Sequence, residues 1–232
     1  MERLTEGPRV RPRITGAVYA LYFVTAISGV LVAKGLVVAG DAAATASNIL
    51  AHDAAFRLGI AINLVGTALY IAVTALLYDL LKPVNRIIAL LAALVSVAGC
   101  AIQAIGSLFQ VASLSVLEGD RYLSVFSVEQ LHALALMFLK LNVQAAYIYL
   151  VFFGLFDFLI GYLILRSTFL PRIIGVLMAL AGLGWLTFLS PPLALSLSPY
   201  NLALGFLAEF ALLLWLLIRG VNAQRWAEQA LP

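Results

Sequence analysis

Two acidic residues stand in otherwise apolar surroundings, Asp157 within FFGLFDFLIGYLIL and Glu209 within LGFLAEFALLLWLL. Asp157 precedes Arg166 by nine residues, and Glu209 precedes Arg219 by ten. If both arginines mark the same interface, a rise of about 1.5 Å per residue puts the two carboxyls within about 2 Å of one depth. A charge at that depth costs about 2.5–3.5 kcal/mol on insertion scales, so such residues face protein or water. Gly154 and Gly161 share the helix face of Asp157, and Gly205 precedes Glu209 by one turn. Small residues let another helix approach closely. Both carboxyls are therefore expected to point into a helix bundle. Two kinds of chemistry are open to them. Each could be protonated or hydrogen-bonded and simply fasten helices. Alternatively, the pair could bind a proton, a cation or an amine, with one proton shared between neighbouring carboxyls.

A second polar set comprises Asn63, Thr67, Gln103, Gln110, Asn142, Gln144 and Tyr147. Singly, these read as interhelical hydrogen-bond formers, with Tyr147 in an interfacial aromatic belt. As a set, Asn63, Gln103, Asn142, Gln144 and Tyr147 could line a vestibule leading to Asp157 and Glu209. The only histidines, His52 and His132, stand near Asp53 and Glu129. Imidazole and carboxylate are plausible metal ligands, but an E-x-x-H pattern alone reads first as a solvated helix face. No metal is expected, with His52, Glu129 and His132 as the weak candidates. The sequence carries no P-loop, Rossmann glycine pattern, nucleophile elbow or zinc-protease motif. An enzyme is therefore the least expected class.

The elements that must position these residues follow from composition. Of 232 residues, 64% are hydrophobic and 11% charged, against roughly 45–50% and 25% in soluble domains. So few charges cannot cover a water-facing surface. A span needs roughly 20 apolar residues, and six segments qualify: Thr15–Val38, Phe56–Leu81, Ile87–Leu117, Leu141–Leu165, Ile173–Ser190 and Tyr200–Ile218. Arg3, Arg9, Arg11, Arg13, Lys82, Arg86, Arg166, Arg172, Arg219 and Arg225 fall on one side of these spans. Lys34, Arg57, Arg121 and Lys140 fall on the other. Positive residues concentrate on the cytoplasmic side, so both termini are expected there. The domain plan is a cytoplasmic segment 1–14, a transmembrane domain 15–219 and a cytoplasmic segment 220–232. The net charge of +3 sits at segment ends rather than in a patch, which argues against nucleic acid. A single cysteine, Cys100, excludes an intramolecular disulfide.

The connections differ in character. LLKPVNR and RSTFLPR are short turns, each with a helix-breaking proline. AGDAAATASNILAHDAAFR reads as a longer outer loop without apolar periodicity, and LSPPLALSLSPYN as an interfacial stretch too short to span. SVFSVEQLHALALMFLKL puts Glu129, His132 and Lys140 on one helical face. It is expected to be an outer amphipathic helix over about residues 127–139, either kinking near Asn142 or running straight into span 4, with the kink preferred. The fold class is thus all-α: six transmembrane helices plus one outer amphipathic helix.

Four stretches carry a family resemblance: GDAAATASNI (Gly40–Ile49), LKPVNRIIALLAAL (Leu81–Leu94), FLPRIIGVLMALAGLGWL (Phe169–Leu186) and LLWLLIRGVN (Leu213–Asn222). Together the chain resembles domain-of-unknown-function family number 4386, bacterial integral membrane proteins. KPVNR and LPRIIG are the more specific pieces. The resemblance implies a bacterial inner-membrane location and transfers no site residues, cofactor or activity. The expected function is binding of a small molecule or ion near the midplane, extending to transport. The alternative is a non-catalytic sensor or assembly subunit acting through its outer surface. Membrane lipids and a small ligand or cation are the expected partners, a homo-oligomer is left open, and the cofactor is unknown.

Overall fold

The structure, a computed structural model, describes residues 7–119 and 121–231, with side chains from Pro12 onward. Arg3 and Asp120 lie outside the described residues, as do the side chains of Arg9 and Arg11. Among the described residues nine α-helices follow in order: α1 (Gly7–Ala33), α2 (Ala42–Ala51), α3 (Asp53–Leu81), α4 (Arg86–Glu118), α5 (Val128–Arg166), α6 (Arg172–Leu186), α7 (Pro191–Ser196), α8 (Tyr200–Ile218) and α9 (Ala223–Gln229). There is no strand among the described residues. Six segments among the described residues are long and apolar enough to cross a membrane: Pro12–Ala33, Asp53–Leu81, Arg86–Glu118, Val128–Arg166, Arg172–Leu189 and Tyr200–Ile218. In a bilayer core every backbone group must be satisfied within the segment, and helices of this length do so. The chain is a multi-pass, all-α membrane protein.

Three local readings change. The first span ends at Ala33 rather than Val38, because Gly35 adopts a left-handed φ of 82° that terminates the helix. The stretch between the first two spans, which reads as a loop without apolar periodicity, contains α2. Asp41 caps this helix by accepting from the Ala44 N–H at 2.9 Å, and alanine favours helix enough to fill it. Residues 128–139 do form a helix, with Glu129 exposed, but it is not separated from span 4. α5 continues without a break through Asn142 to Arg166, 39 residues or roughly 58 Å. The reason is that Asn142 does not compete for its own backbone. Its Nδ2 donates across to the Gly106 carbonyl of α4 at 2.9 Å. Asn142→Leu is therefore expected to leave α5 helical and to lower stability by about 0.6–1.7 kcal/mol. Circular dichroism of the folded variant and its denaturation midpoint check both halves.

The chain divides into two compact units. One holds α1 up to Leu21, Leu69–Cys100 and everything from Tyr147 onward; the other holds Tyr22–Ala68 and Ala101–Ala146.

The first unit is organised by glycine contacts. On α5 and α6, Gly154 lies against Gly182 and Gly161 against Gly175, an antiparallel register with seven residues between contacts on each helix. A Cβ on Gly182 would stand 2.6 Å from the Gly154 carbonyl oxygen and 2.6 Å from the Phe158 nitrogen. One on Gly161 would stand 2.5 Å from the Ala179 nitrogen. The helices thus touch backbone to backbone, which dispersion alone makes favourable in a lipid solvent. Gly16 of α1 meets Leu217 of α8 in the same way. At that end, α9 folds back over the turns. Trp226 Nε1 donates to the Leu80 carbonyl at 2.9 Å, and Gln229 Oε1 accepts from both N and Oγ1 of Thr168 at 3.0 Å. The start of α1, the α3–α4 and α5–α6 turns and the C-terminal helix therefore meet at one end of this unit, as an even number of spans requires.

The second unit packs Leu36, Ile49, Phe56, Ile60, Leu114 and Leu139 into one apolar cluster, and Val116, Leu123 and Ala135 into another. α2 enters the first cluster through Ile49, so the connection between α1 and α3 is part of the packed structure.

A buried carboxyl pair as the candidate functional site

α5 carries Asp157 and α8 carries Glu209. Asp157 is 0% exposed and Glu209 7%. The sequence expectation that both face protein therefore holds, and the two carboxyls lie within electrostatic reach of each other. Tyr19, which bonds Glu209, belongs to a chain of packed aromatic rings. Tyr19 of α1 and Tyr70 of α3 pack edge to face at 6.1 Å, and Tyr70 contacts Phe153 at 4.8 Å and Phe156 at 6.0 Å. Tyr19, Tyr70 and Phe156 are fully buried.

The two acids are held differently. The Tyr19 hydroxyl donates to Glu209 Oε2 at 2.8 Å. Asp157 has no such donor. Trp185 of α6 and Glu209 are the hydrogen-bonding side chains closest to it, yet neither Asp157 oxygen meets a donor at hydrogen-bond distance and angle among the described residues, and Trp185 Nε1 meets no acceptor. The indole is placed by Gly205, whose absent side chain is replaced by the Trp185 ring lying across the α8 backbone. Gly205 thus admits a side chain rather than another helix. Gly154 and Gly161, on the face of Asp157, admit α6 as expected.

An unsatisfied carboxyl in a low-dielectric interior costs several kcal/mol if charged, and about 1–3 kcal/mol if merely polar and unpaired. Two adjacent buried carboxyls are most cheaply accommodated with a proton between them. The arrangement can therefore take up a proton, or a cation in place of one. It offers no nucleophile with an adjacent base.

Asn63, Gln103 and Asn142 have partners of their own. Asn63 and Gln103 bond to each other across α3 and α4, with Gln103 Nε2 donating to Asn63 Oδ1 at 3.0 Å. Asn63 Nδ2 reaches Ser107 Oγ at 3.4 Å. With Asn142 on Gly106, these residues fasten α3, α4 and α5 within the second unit. Gln144 is exposed there. Tyr147 belongs to the first unit, its ring 5.4 Å from that of Phe188.

His52, Asp53, Glu129 and His132 are not gathered into a metal-holding group among the described residues. His52 Nδ1 meets the Asn48 carbonyl at 3.0 Å, Asp53 pairs with Arg57 at 3.0 Å, and Glu129 accepts from Ser127 Oγ at 2.8 Å.

Tyr19 and Trp185 are the partners that the sequence did not single out. Span 1 carries Tyr19 and Tyr22 three residues apart, and no spacing rule tells which turns inward. Trp185, close to the end of its span, has the profile of an interfacial belt residue.

Six apolar spans, an all-helical fold among the described residues and a buried pair of carboxyls define an integral membrane helical protein. Residues 14–220 match the family described as Domain of unknown function (DUF4386), and the chain belongs to that family. No curated protein and no solved structure matches it.

Proposed function

We propose that Asp157 and Glu209 together bind and exchange a proton or a small cation inside the membrane, and that this exchange is what the bundle is built to support. One observation carries the reading: Asp157 is completely buried, and neither of its oxygens has a hydrogen-bond partner among the described residues. An acid that only fastens helices would be expected to be hydrogen-bonded, as Glu209 is by Tyr19. With one proton, the pair carries a single negative charge. A monovalent cation, or an ammonium group, arriving at Asp157 neutralises that charge by coordination. A second proton neutralises it by forming the second acid. Tyr19 keeps Glu209 oriented throughout, and the rings of Tyr70, Phe153 and Phe156 keep the dielectric low. Coupling of that exchange to movement of a solute would make the protein a transporter.

Trp185 supplies the readout. A variant with Trp215→Phe and Trp226→Phe leaves Trp185 as its one indole. Its emission is expected to shift when sodium, potassium, methylammonium or protons are titrated against the detergent-solubilised protein. The shift should vanish in Asp157→Asn. Emission that ignores all four probes would overturn the proposal.

The proposal sets the bundle in a bacterial inner membrane with both termini in the cytoplasm, supported by the ten-to-four distribution of basic residues between its two sides. In a Cys100→Ala background, single cysteines at Ala43 and Val125 should react with an impermeant maleimide on intact cells. Cysteines at Asn85 and Ala227 should react only after permeabilisation. All four positions are exposed. Labelling at Asn85 in intact cells would reverse the orientation.

A further inference from the structure

We infer that the basic end of the first unit holds a phosphate-bearing anion in a cleft between α9 and the α5–α6 turn. The cleft encloses about 710 Å³ and is lined by Ser167, Thr168, Leu170, Arg172, Arg225, Glu228 and Gln229, in the size range of small-ligand sites. Three observations combine. The first is charge: Arg172 and Arg225 both line the cleft, and neither is ion-paired among the described residues, while Glu228, the one acid in the lining, accepts from Gln224 Nε2 at 3.0 Å. The second is rigidity: Arg225 Nη1 donates to the Thr168 carbonyl at 3.4 Å. Gln229 clasps Thr168 by two bonds and reaches the Arg166 carbonyl with Nε2 at 3.3 Å. The wall that carries Arg225 is therefore fixed before any ligand arrives, so little ordering cost remains for binding. The third is repetition: Arg13 and Arg219 line a second cleft of about 520 Å³ with the Gly220–Gln224 link. Guanidinium groups with spare donors suit phosphate oxygens, which they can engage two bonds at a time.

Two sources supply that chemistry, a membrane phospholipid headgroup and a soluble phosphate ester. The cleft opens where a span begins, and Ile173, next to Arg172, is 63% exposed. An acyl chain has an apolar surface there while its phosphate meets the arginines. Basic pockets at the ends of transmembrane helices hold anionic headgroups in this way.

The test uses the full-length protein stripped of lipid in a neutral detergent. Phosphatidylglycerol, phosphatidylcholine, glycerol phosphate and inorganic phosphate are each titrated while the thermal midpoint is followed. Phosphatidylglycerol is expected to raise the midpoint at a concentration at least tenfold lower than phosphatidylcholine does. Arg172→Gln should reduce that preference, and Arg172→Gln with Arg225→Gln should abolish it. Lys82→Gln with Arg86→Gln removes the same charge from the same end, outside the cleft, and should keep it. If glycerol phosphate or inorganic phosphate alone reproduces the shift with the same arginine dependence, the site stands and its source is soluble. Equal response to both lipids together with no response to either phosphate overturns the inference. So does equal loss in the Lys82/Arg86 control, which would reduce the effect to general surface charge. Arg172→Gln leaves the bonds of Arg225 and Gln229 intact, so the test holds even if the double variant fails to fold.

Discussion

Removing the side chain of Asp157 is expected to leave the protein as stable as before or more so, whereas removing that of Glu209 is expected to weaken it. The asymmetry follows from the bonding. In Glu209→Ala the Tyr19 hydroxyl, fully buried, loses the acceptor it holds at 2.8 Å. A buried group stripped of its partner costs about 1–3 kcal/mol. In Asp157→Ala no hydrogen bond is broken among the described residues. The gain from no longer burying two unpaired oxygens offsets the small cavity, which costs on the order of 24 cal/mol per Å³. Asp157→Asn keeps the volume and is expected to fold normally while weakening cation binding at least tenfold, about 1.4 kcal/mol. Denaturant or thermal midpoints of the two alanine variants, measured side by side, check the stability half. Equal destabilisation by both would mean that Asp157 is a fastener like Glu209.

Gly182→Val is expected to have the largest effect on folding. Its Cβ would fall 2.6 Å from the Gly154 oxygen and the Phe158 nitrogen, backbone atoms that cannot step aside as a side chain can. α5 and α6 would have to separate over the whole paired face. Overpacking costs about 1–3 kcal/mol when side chains can adjust, and this contact lies at or beyond that upper end. Gly161→Val, with a 2.5 Å approach to the Ala179 nitrogen, should behave alike. The two together should cost less than their sum, because the first already opens the interface. The yield of monodisperse protein after detergent extraction, compared with a Gly29→Val control, checks this. The Gly29 Cβ would meet only Ile62 Cγ2, at 3.5 Å.

The six spans were legible because length and hydropathy set them, and both are local. α2 was missed because AAATASNILA has no apolar stripe, and only Asp41 at its start announced it. The continuity of α5 through Asn142 was not legible, for a nonlocal reason: the Asn142 amide bonds Gly106 of another helix, which no window along α5 reveals. The acid pair was legible through depth, since two arginines measured both carboxyls from one interface. Its surroundings were not, because they depend on helix rotation. Sequence spacing gives a residue's height in a bundle but not whether Tyr19 or Tyr22 turns toward Glu209. Nor does it say that the space over Gly205 holds the Trp185 ring rather than a helix.

The most direct measurement of the central claim is an infrared titration of the carboxyl groups in reconstituted membranes. A protonated carboxyl shows a carbonyl band separate from that of a carboxylate. The account predicts one protonated-carboxyl band at neutral pH that is lost in both Asp157→Asn and Glu209→Gln. A second such band is expected as the pH falls, and a bound cation, taking the place of the second proton, is expected to suppress it. A band that neither variant removes, or one indifferent to pH and to every cation tested, would contradict an exchangeable site and leave the pair as structural polar residues.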